Sequence, residues 1–137
     1  MYAVRFHGRG GQGAKTASRI LGTAAFLSGY QAQDSPIYGA ERRGAPVAAF
    51  TRFGVEPIRE RGAIVHPDLV VVADASLVED PAARVSDGIT DRTILFVNSP
   101  LPAEEIHVRS RLTGRITAFG VTEIALEHFG RRDAISA

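Results

Sequence analysis

Cysteine is absent from all 137 residues. That single absence excludes disulfides, thiolate zinc sites, iron–sulfur ligation by this chain and a cysteine nucleophile. Long hydrophobic runs are absent as well. The longest, Leu69 to Ala73, falls far short of the roughly 20 residues that cross a bilayer. The amino terminus enters Tyr2–His7 without an apolar h-region or a cleavage site, so no signal peptide is read and a cytoplasmic location is expected. No excess of one charge exists either: the net charge is +1, which argues against a dedicated nucleic-acid binder. Low-complexity tracts, internal repeats and interdomain linkers are also missing. With 45% hydrophobic and 23% charged residues, the expectation is one globular domain over residues 1–137.

Catalytic groupings are lacking too. His7, His66, His107 and His128 show no metal-ligand spacing, and each is read as structural or exposed. There is no nucleophile elbow and no evident acid/base pair of carboxylates. Catalytic residues and metal ligands are therefore expected to be none, and the chain is not expected to do chemistry alone.

What the sequence does have is glycine in one place. Gly8, Gly10, Gly11 and Gly13 fall within six residues, after the apolar pair Val4 and Phe6 and before a long helical pattern. Glycine reaches positive φ at no steric cost, so the backbone can turn sharply there. Amides at a helix start also favour an anion. Three mechanical uses are open. The spacing fits G-x-G-x-x-G between strand and helix, with Asp34 twenty-one residues beyond Gly13 as the ribose acid, which gives an independent NAD(P)-binding Rossmann protein. Arg9 and Gln12 are bulky for that task. A P-loop fails on register, because one extra residue before Lys15-Thr16 turns the lysine by about 100°. The third use is an anion-binding or contact loop in which Arg9 holds a phosphate or a partner's carboxylate, including a free-standing CoA/anion-binding module. Against all three stands the plainer reading that the glycines only permit close strand–helix packing.

Charge is placed unevenly. Residues 1–61 carry nine Lys/Arg and four Asp/Glu, whereas residues 62–137 carry seven and eleven, so the glycine-loop half is the basic one. A second cluster lies in that half: Glu41, Arg42 and Arg43 between Gly39 and Gly44, after Tyr38, read as an ordered loop over 37–46. One arginine would pair with Glu41 and leave the other to reach a ligand or another subunit.

Periodicity supplies the elements. Tyr2–His7 reads as a central strand, and residues from Gly11 or Gln12 to Ser28 as a helix that packs through Ala17, Ile20, Leu21, Ala24 and Leu27 and ends at Gly29. Further strands are expected at Tyr30–Gln33, broken by Asp34-Ser35-Pro36, and at Val47–Phe53, Asp68–Asp74, Thr93–Val97 and Arg115–Phe119. Gly54–Gly62 reads as a turn, and Ser76–Ser86 as a short helix or irregular turn. Thr122 is the expected N-cap of a helix from Glu123 to Phe129, stopped by Gly130. The fold class is α/β: a Rossmann-like three-layer domain with a mostly parallel sheet. Its binding rim would join the 8–13 loop, the 34–46 loop and the segments after Asp74 and Asn98.

The run Val4-Arg5-Phe6-His7-Gly8-Arg9-Gly10-Gly11-Gln12-Gly13, followed by Tyr38-Gly39-Ala40-Glu41-Arg42-Arg43-Gly44-Ala45-Pro46-Val47, resembles the gamma subunit or domain of 2-oxoacid:ferredoxin oxidoreductases. Pro57-Ile58 and His66-Pro67-Asp68 fit the same pattern, so the resemblance runs through most of residues 2–130. The Glu-Arg-Arg-Gly-Ala-Pro form leans to the pyruvate:ferredoxin oxidoreductase type. The resemblance implies a non-catalytic subunit of an enzyme that converts a 2-oxoacid and CoA to acyl-CoA and CO2 while reducing ferredoxin. It implies partners: thiamine-binding alpha and beta subunits, a ferredoxin-like delta subunit, and ferredoxin as acceptor, with neither nucleic acid nor membrane. Thiamine diphosphate, Mg2+ and [4Fe–4S] clusters would be held by those partners, and none by this chain alone. Gly8, Arg9, Gly10, Gly11, Gln12 and Gly13 would contact CoA, another anion or a subunit. Tyr38, Glu41, Arg42 and Arg43 would form an active-site rim or subunit contact. Members of the family continue with a further apolar helix, so the domain is expected to be cut short at its C-terminus.

Overall fold

The computed structural model describes residues 1–36 and 44–130. A six-stranded sheet runs in the order β2-β3-β1-β4-β5-β6, from Gln31–Pro36 (β2) through Pro46–Gly54 (β3), Tyr2–Arg9 (β1), Leu69–Val72 (β4) and Ile94–Asn98 (β5) to Arg115–Phe119 (β6). β1, β4, β5 and β6 pair in parallel, while β3 runs antiparallel to both β1 and β2. Helices α1 (Ala14–Leu27), α2 (Ala103–Ser110) and α3 (Val121–Phe129) complete the fold. The sheet is mixed and mostly parallel, as expected, and β1 is central to it.

Alternation along β1 builds the two faces. Val4 and Phe6 turn towards α1 and join Ala14, Ala17, Leu21 and Ala49 in one apolar cluster. Ala3, Arg5 and His7 turn the other way. On that side Val70, Val72, Leu95 and Val97 meet Leu77, Val85 and Ile106 in the larger cluster, covered by α2 and by two short 3-10 turns at Ala75–Leu77 and Pro81–Ala83.

The helix face differs from the one read from apolar spacing. The buried residues of α1 are Ala14, Ser18, Gly22 and Ala25, while Ile20, Ala24 and Leu27 lie exposed. Close approach explains the rotation. Ser18 Oγ donates to the Phe50 carbonyl at 3.1 Å and shares a 2.9 Å bond with Thr51 Oγ1. A Cβ on Gly22 would stand 3.6 Å from Asp34 Cβ. Small side chains let the helix lie down on β2 and β3, and larger ones would lift it off. The end of α1 is a Schellman turn, as Gly29 suggested: Gly29 N–H donates to Phe26 O and Tyr30 N–H to Ala25 O, with Gly29 at φ 89°.

Three further boundaries changed. β2 continues through Asp34-Ser35-Pro36, which pair with Thr51, Phe50 and Ala49; at a sheet edge a proline without an N–H is tolerated. Helix α2, within a polar segment of weak period, escaped the sequence reading. Thr122 does not cap α3: the N-cap is Gly120, and the capping acceptor comes from β5, where Asn98 Oδ1 receives the Val121 and Thr122 amides at 2.9 and 3.3 Å. Asn98 Nδ2 donates in turn to Ala73 O and Thr122 Oγ1.

Candidate functional site

The glycine loop sits at the carboxyl end of β1, and its residues are tied to the neighbouring strand ends. Gly10 N–H donates to Ala45 O at 2.9 Å, and Gly44 N–H returns to Gly10 O at 3.3 Å. Gly11 (φ 93°) and Gly13 (φ 80°) occupy the left-handed region that lets the chain turn from β1 into α1. Gln12 folds back over the turn: its Oε1 accepts the Arg9 amide at 2.7 Å, and its Nε2 donates to Asp74 Oδ2 at 3.2 Å.

Arg9 reaches the same carboxylate. Its Nε meets Asp74 Oδ2 at 3.2 Å, Nη1 donates to Gly44 O at 3.2 Å, and Nη2 donates to Ser76 Oγ at 2.7 Å. Asp74 also accepts Ser76 N–H and Oγ–H through Oδ1. Partial burial pushes the Asp74 carboxyl up, but the bonds from Ser76 and Gln12 and the Arg9 charge outweigh it and hold the group below its ordinary 3.8. The carboxylate at the glycine loop is thus the chain's own. Arg9 and Gln12 are engaged by Asp74 and Ser76, so the turn forms a closed knuckle, not an open phosphate cradle.

The setting of Asp34 points the same way. β3, antiparallel, stands between β1 and β2. Asp34 lies beside Gly22, nine residues along α1 from Gly13, a rise of about 13 Å. A ribose acid belongs at the helix start instead.

The expected rim is assembled in part. The 8–13 loop, Gly44–Ala45 and the Asp74–Ser76 turn are joined by hydrogen bonds. Asn98 and Val121 flank a small crevice that Gln12, Gly13 and Ala14 share with Val71 and Phe96. Tyr38, Glu41, Arg42 and Arg43 lie outside the described residues. Among the described residues, no three His, Cys, Asp or Glu side chains come together as a metal site, and no helix is long and apolar enough to cross a membrane.

Sequence reasoning missed the second polar region, on the face of β1 opposite α1. Arg5 (4% exposed) and His7 (3%) line a cavity of about 300 Å³ with Phe50, Ile64, Ala83 and Asp87. Arg5 Nη2 donates to Val85 O at 2.7 Å and Nη1 to Ile64 O at 3.4 Å, while Arg5 Nε and His7 Nε2 have no partner. Burial, together with the Arg5 charge, lowers the His7 pKa to about 4, so the ring is neutral at pH 7. The signal was present as two ionisable residues at alternate positions of an otherwise apolar strand. His66, His107 and His128 are exposed, as read.

Comparison with known proteins bears on the whole chain. The family model for pyruvate ferredoxin/flavodoxin oxidoreductase matches residues 3–137. The pyruvate/ketoisovalerate oxidoreductases common subunit gamma of Pyrococcus furiosus is 47% identical over 131 residues, covering 95% of this chain and 70% of that protein. The crystal structure of pyruvate oxidoreductase subunit PORC from Thermotoga maritima superposes with TM-score 0.83 at 36% identity, over 98% of this chain and 70% of that one. A chain of the 2-oxoglutarate:ferredoxin oxidoreductase from Magnetococcus marinus, solved with 2-oxoglutarate, coenzyme A and succinyl-CoA bound, matches with TM-score 0.76 over 98% of this chain and 22% of that one. At 16% identity that last likeness concerns the fold alone.

Proposed function

Because the chain belongs to the pyruvate ferredoxin/flavodoxin oxidoreductase family, we propose that it is the gamma subunit of a cytoplasmic, thiamine-dependent 2-oxoacid:ferredoxin oxidoreductase, with pyruvate as substrate. The complex converts the 2-oxoacid and CoA to acyl-CoA and CO2 and passes the electrons to ferredoxin. This chain is inactive alone and helps to close the active site against the thiamine-binding alpha and beta subunits. Having no cysteine, it leaves iron–sulfur ligation to other chains, the ferredoxin-like delta subunit among them. Thiamine diphosphate with Mg2+ is likewise held by its partners.

The observation that carries this reading is the closed knuckle of Arg9, Gln12 and Asp74. A loop whose long polar side chains are already paired within the chain presents a fixed surface, suited to docking against another subunit. The outward stripe of α1 supports it: Ile20 is 55% and Leu27 79% exposed, one helical face apart from the packed one. A CoA-guiding role for Arg9 and Arg43 is the finer part of this reading, supported by the excess of Lys/Arg over Asp/Glu in residues 1–61.

Co-purification from the native host through a tag on this chain tests the reading. The expected result is cysteine-rich, thiamine-containing partners with 2-oxoacid- and CoA-dependent reduction of a viologen dye. A lone chain that binds NAD(P) would overturn it. In the assembled complex, Arg9→Ala and Arg43→Ala should weaken CoA binding measured by titration calorimetry. Unchanged affinity would remove the CoA route and leave the subunit contact.

A further inference from the structure

The cavity on the Arg5–His7 face has a composition that the knuckle does not need. Its walls are mostly apolar, from Ala48 and Phe50 on β3 to Ile64 and Ala83 on the two segments that cover the sheet there. Into this surface the fold places a guanidinium, which stays cationic in proteins whatever its burial. Arg5 makes no ion pair among the described residues, and its only acceptors are two backbone carbonyls. A buried charge without a counter-ion is costly. Asp87, on the cavity wall, favours the Arg5 charge from a distance but makes no ion pair with it and is held by Arg84, whose Nε donates to it at 2.7 Å.

We propose that this cavity binds a small monocarboxylate, its carboxylate at Arg5 and its aliphatic or aromatic body against Phe50 and Ile64. Five observations define the ligand. Arg5 Nε is an unused donor that a carboxylate oxygen would satisfy. His7, neutral, adds no second positive charge, so the site matches one negative charge. Its Nε2, also without a partner, is open to a hydrogen bond with a polar group next to the carboxylate, such as a hydroxyl. Asp87 on the wall opposes a dianion such as a phosphate monoester. A volume of about 300 Å³ is at the lower end of small-molecule sites, which limits the body to a few carbons or one ring. The site is on the sheet face opposite α1, and it stands whether or not the knuckle contacts a partner.

Isobutyrate, benzoate, 2-hydroxyisobutyrate and inorganic phosphate are the probes, titrated into the purified 15N-labelled chain and followed by NMR. The expected result is saturable shifts of the Arg5, His7, Phe50 and Ala83 signals with the three carboxylates, tightest for the hydroxy acid, and none with phosphate. Arg5→Met should weaken binding about tenfold or more. Ala48→Leu, which fills the cavity and leaves Arg5 in place, should do the same and covers the case in which Arg5→Met fails to fold. Shifts that never saturate, equal response to phosphate, or binding unchanged in Ala48→Leu would overturn the assignment.

Discussion

Arg9 and Arg5 stand four residues apart on one strand and face the same side, yet their surroundings differ in kind. Arg9 is partly exposed and bonded to a carboxylate, a carbonyl and a hydroxyl, each at 3.2 Å or less. Arg5 is buried, bonded to two carbonyls, and keeps a free Nε beside a neutral histidine whose Nε2 also lacks a partner. The knuckle is complete within the chain, whereas the cavity is not. Polar groups that satisfy one another make a rigid surface; polar groups that are buried without partners mark a place that something else completes.

The largest way to break this contrast is at Gly88, next in sequence to Asp87 of the cavity wall and packed on Val65, another wall residue. Gly88 has φ 66°, and a Cβ there would stand 1.7 Å from the Val65 carbonyl oxygen. Gly88→Ala should therefore cost roughly 4 kcal/mol or more, leaving little soluble folded chain in a urea titration.

Acid separates the two regions. His7 titrates at about 4 when folded and at about 6.5 when unfolded, so the unfolded chain takes up the proton first. Stability is complete above pH 6.5 and falls by about 3 kcal/mol as pH drops towards 4. Asp74 has the opposite charge type but also a lowered value, so its contribution persists above about pH 4 and disappears only as pH falls through its folded pKa. Urea midpoints measured from pH 8 to pH 2 should show both declines. His7→Gln removes the upper one and Asp74→Asn flattens the lower one.

Asp74→Ala at pH 7 should cost about 2 kcal/mol, since Arg9, Gln12 and Ser76 lose a shared acceptor at a half-buried site. Arg84→Ala should be nearly silent, within about 0.5 kcal/mol, because the Arg84–Asp87 pair is exposed to solvent. A large Arg84 effect would mean that Asp87 helps to neutralise Arg5, and the contrast between the two arginines would weaken.

The order of these elements was legible because glycine and apolar runs act locally. The Gly8–Gly13 cluster marked the turn from β1 to α1, and the Leu69–Ala73 run marked a buried strand. What acts between elements was not legible. The true buried face of α1 depends on how close Ser18 and Gly22 must come to β3, and spacing alone favoured Ile20 and Leu27. Asn98 caps α3 from twenty-three residues upstream, a contact no local pattern encodes. Asp74 was noted only as the end of a strand, because its role arises from the parallel pairing of β4 with β1. Arg5 and His7 were in plain view, but their burial depends on the coverage of the second face.

The most direct test of the knuckle as a subunit contact is hydrogen exchange, measured by mass spectrometry on the chain alone and in the assembled complex. Slower exchange in the complex over residues 8–13 and 74–76, with Ala83 and Val85 unchanged, is the result this account predicts. Exchange at 8–13 and 74–76 that is the same in both states would contradict it.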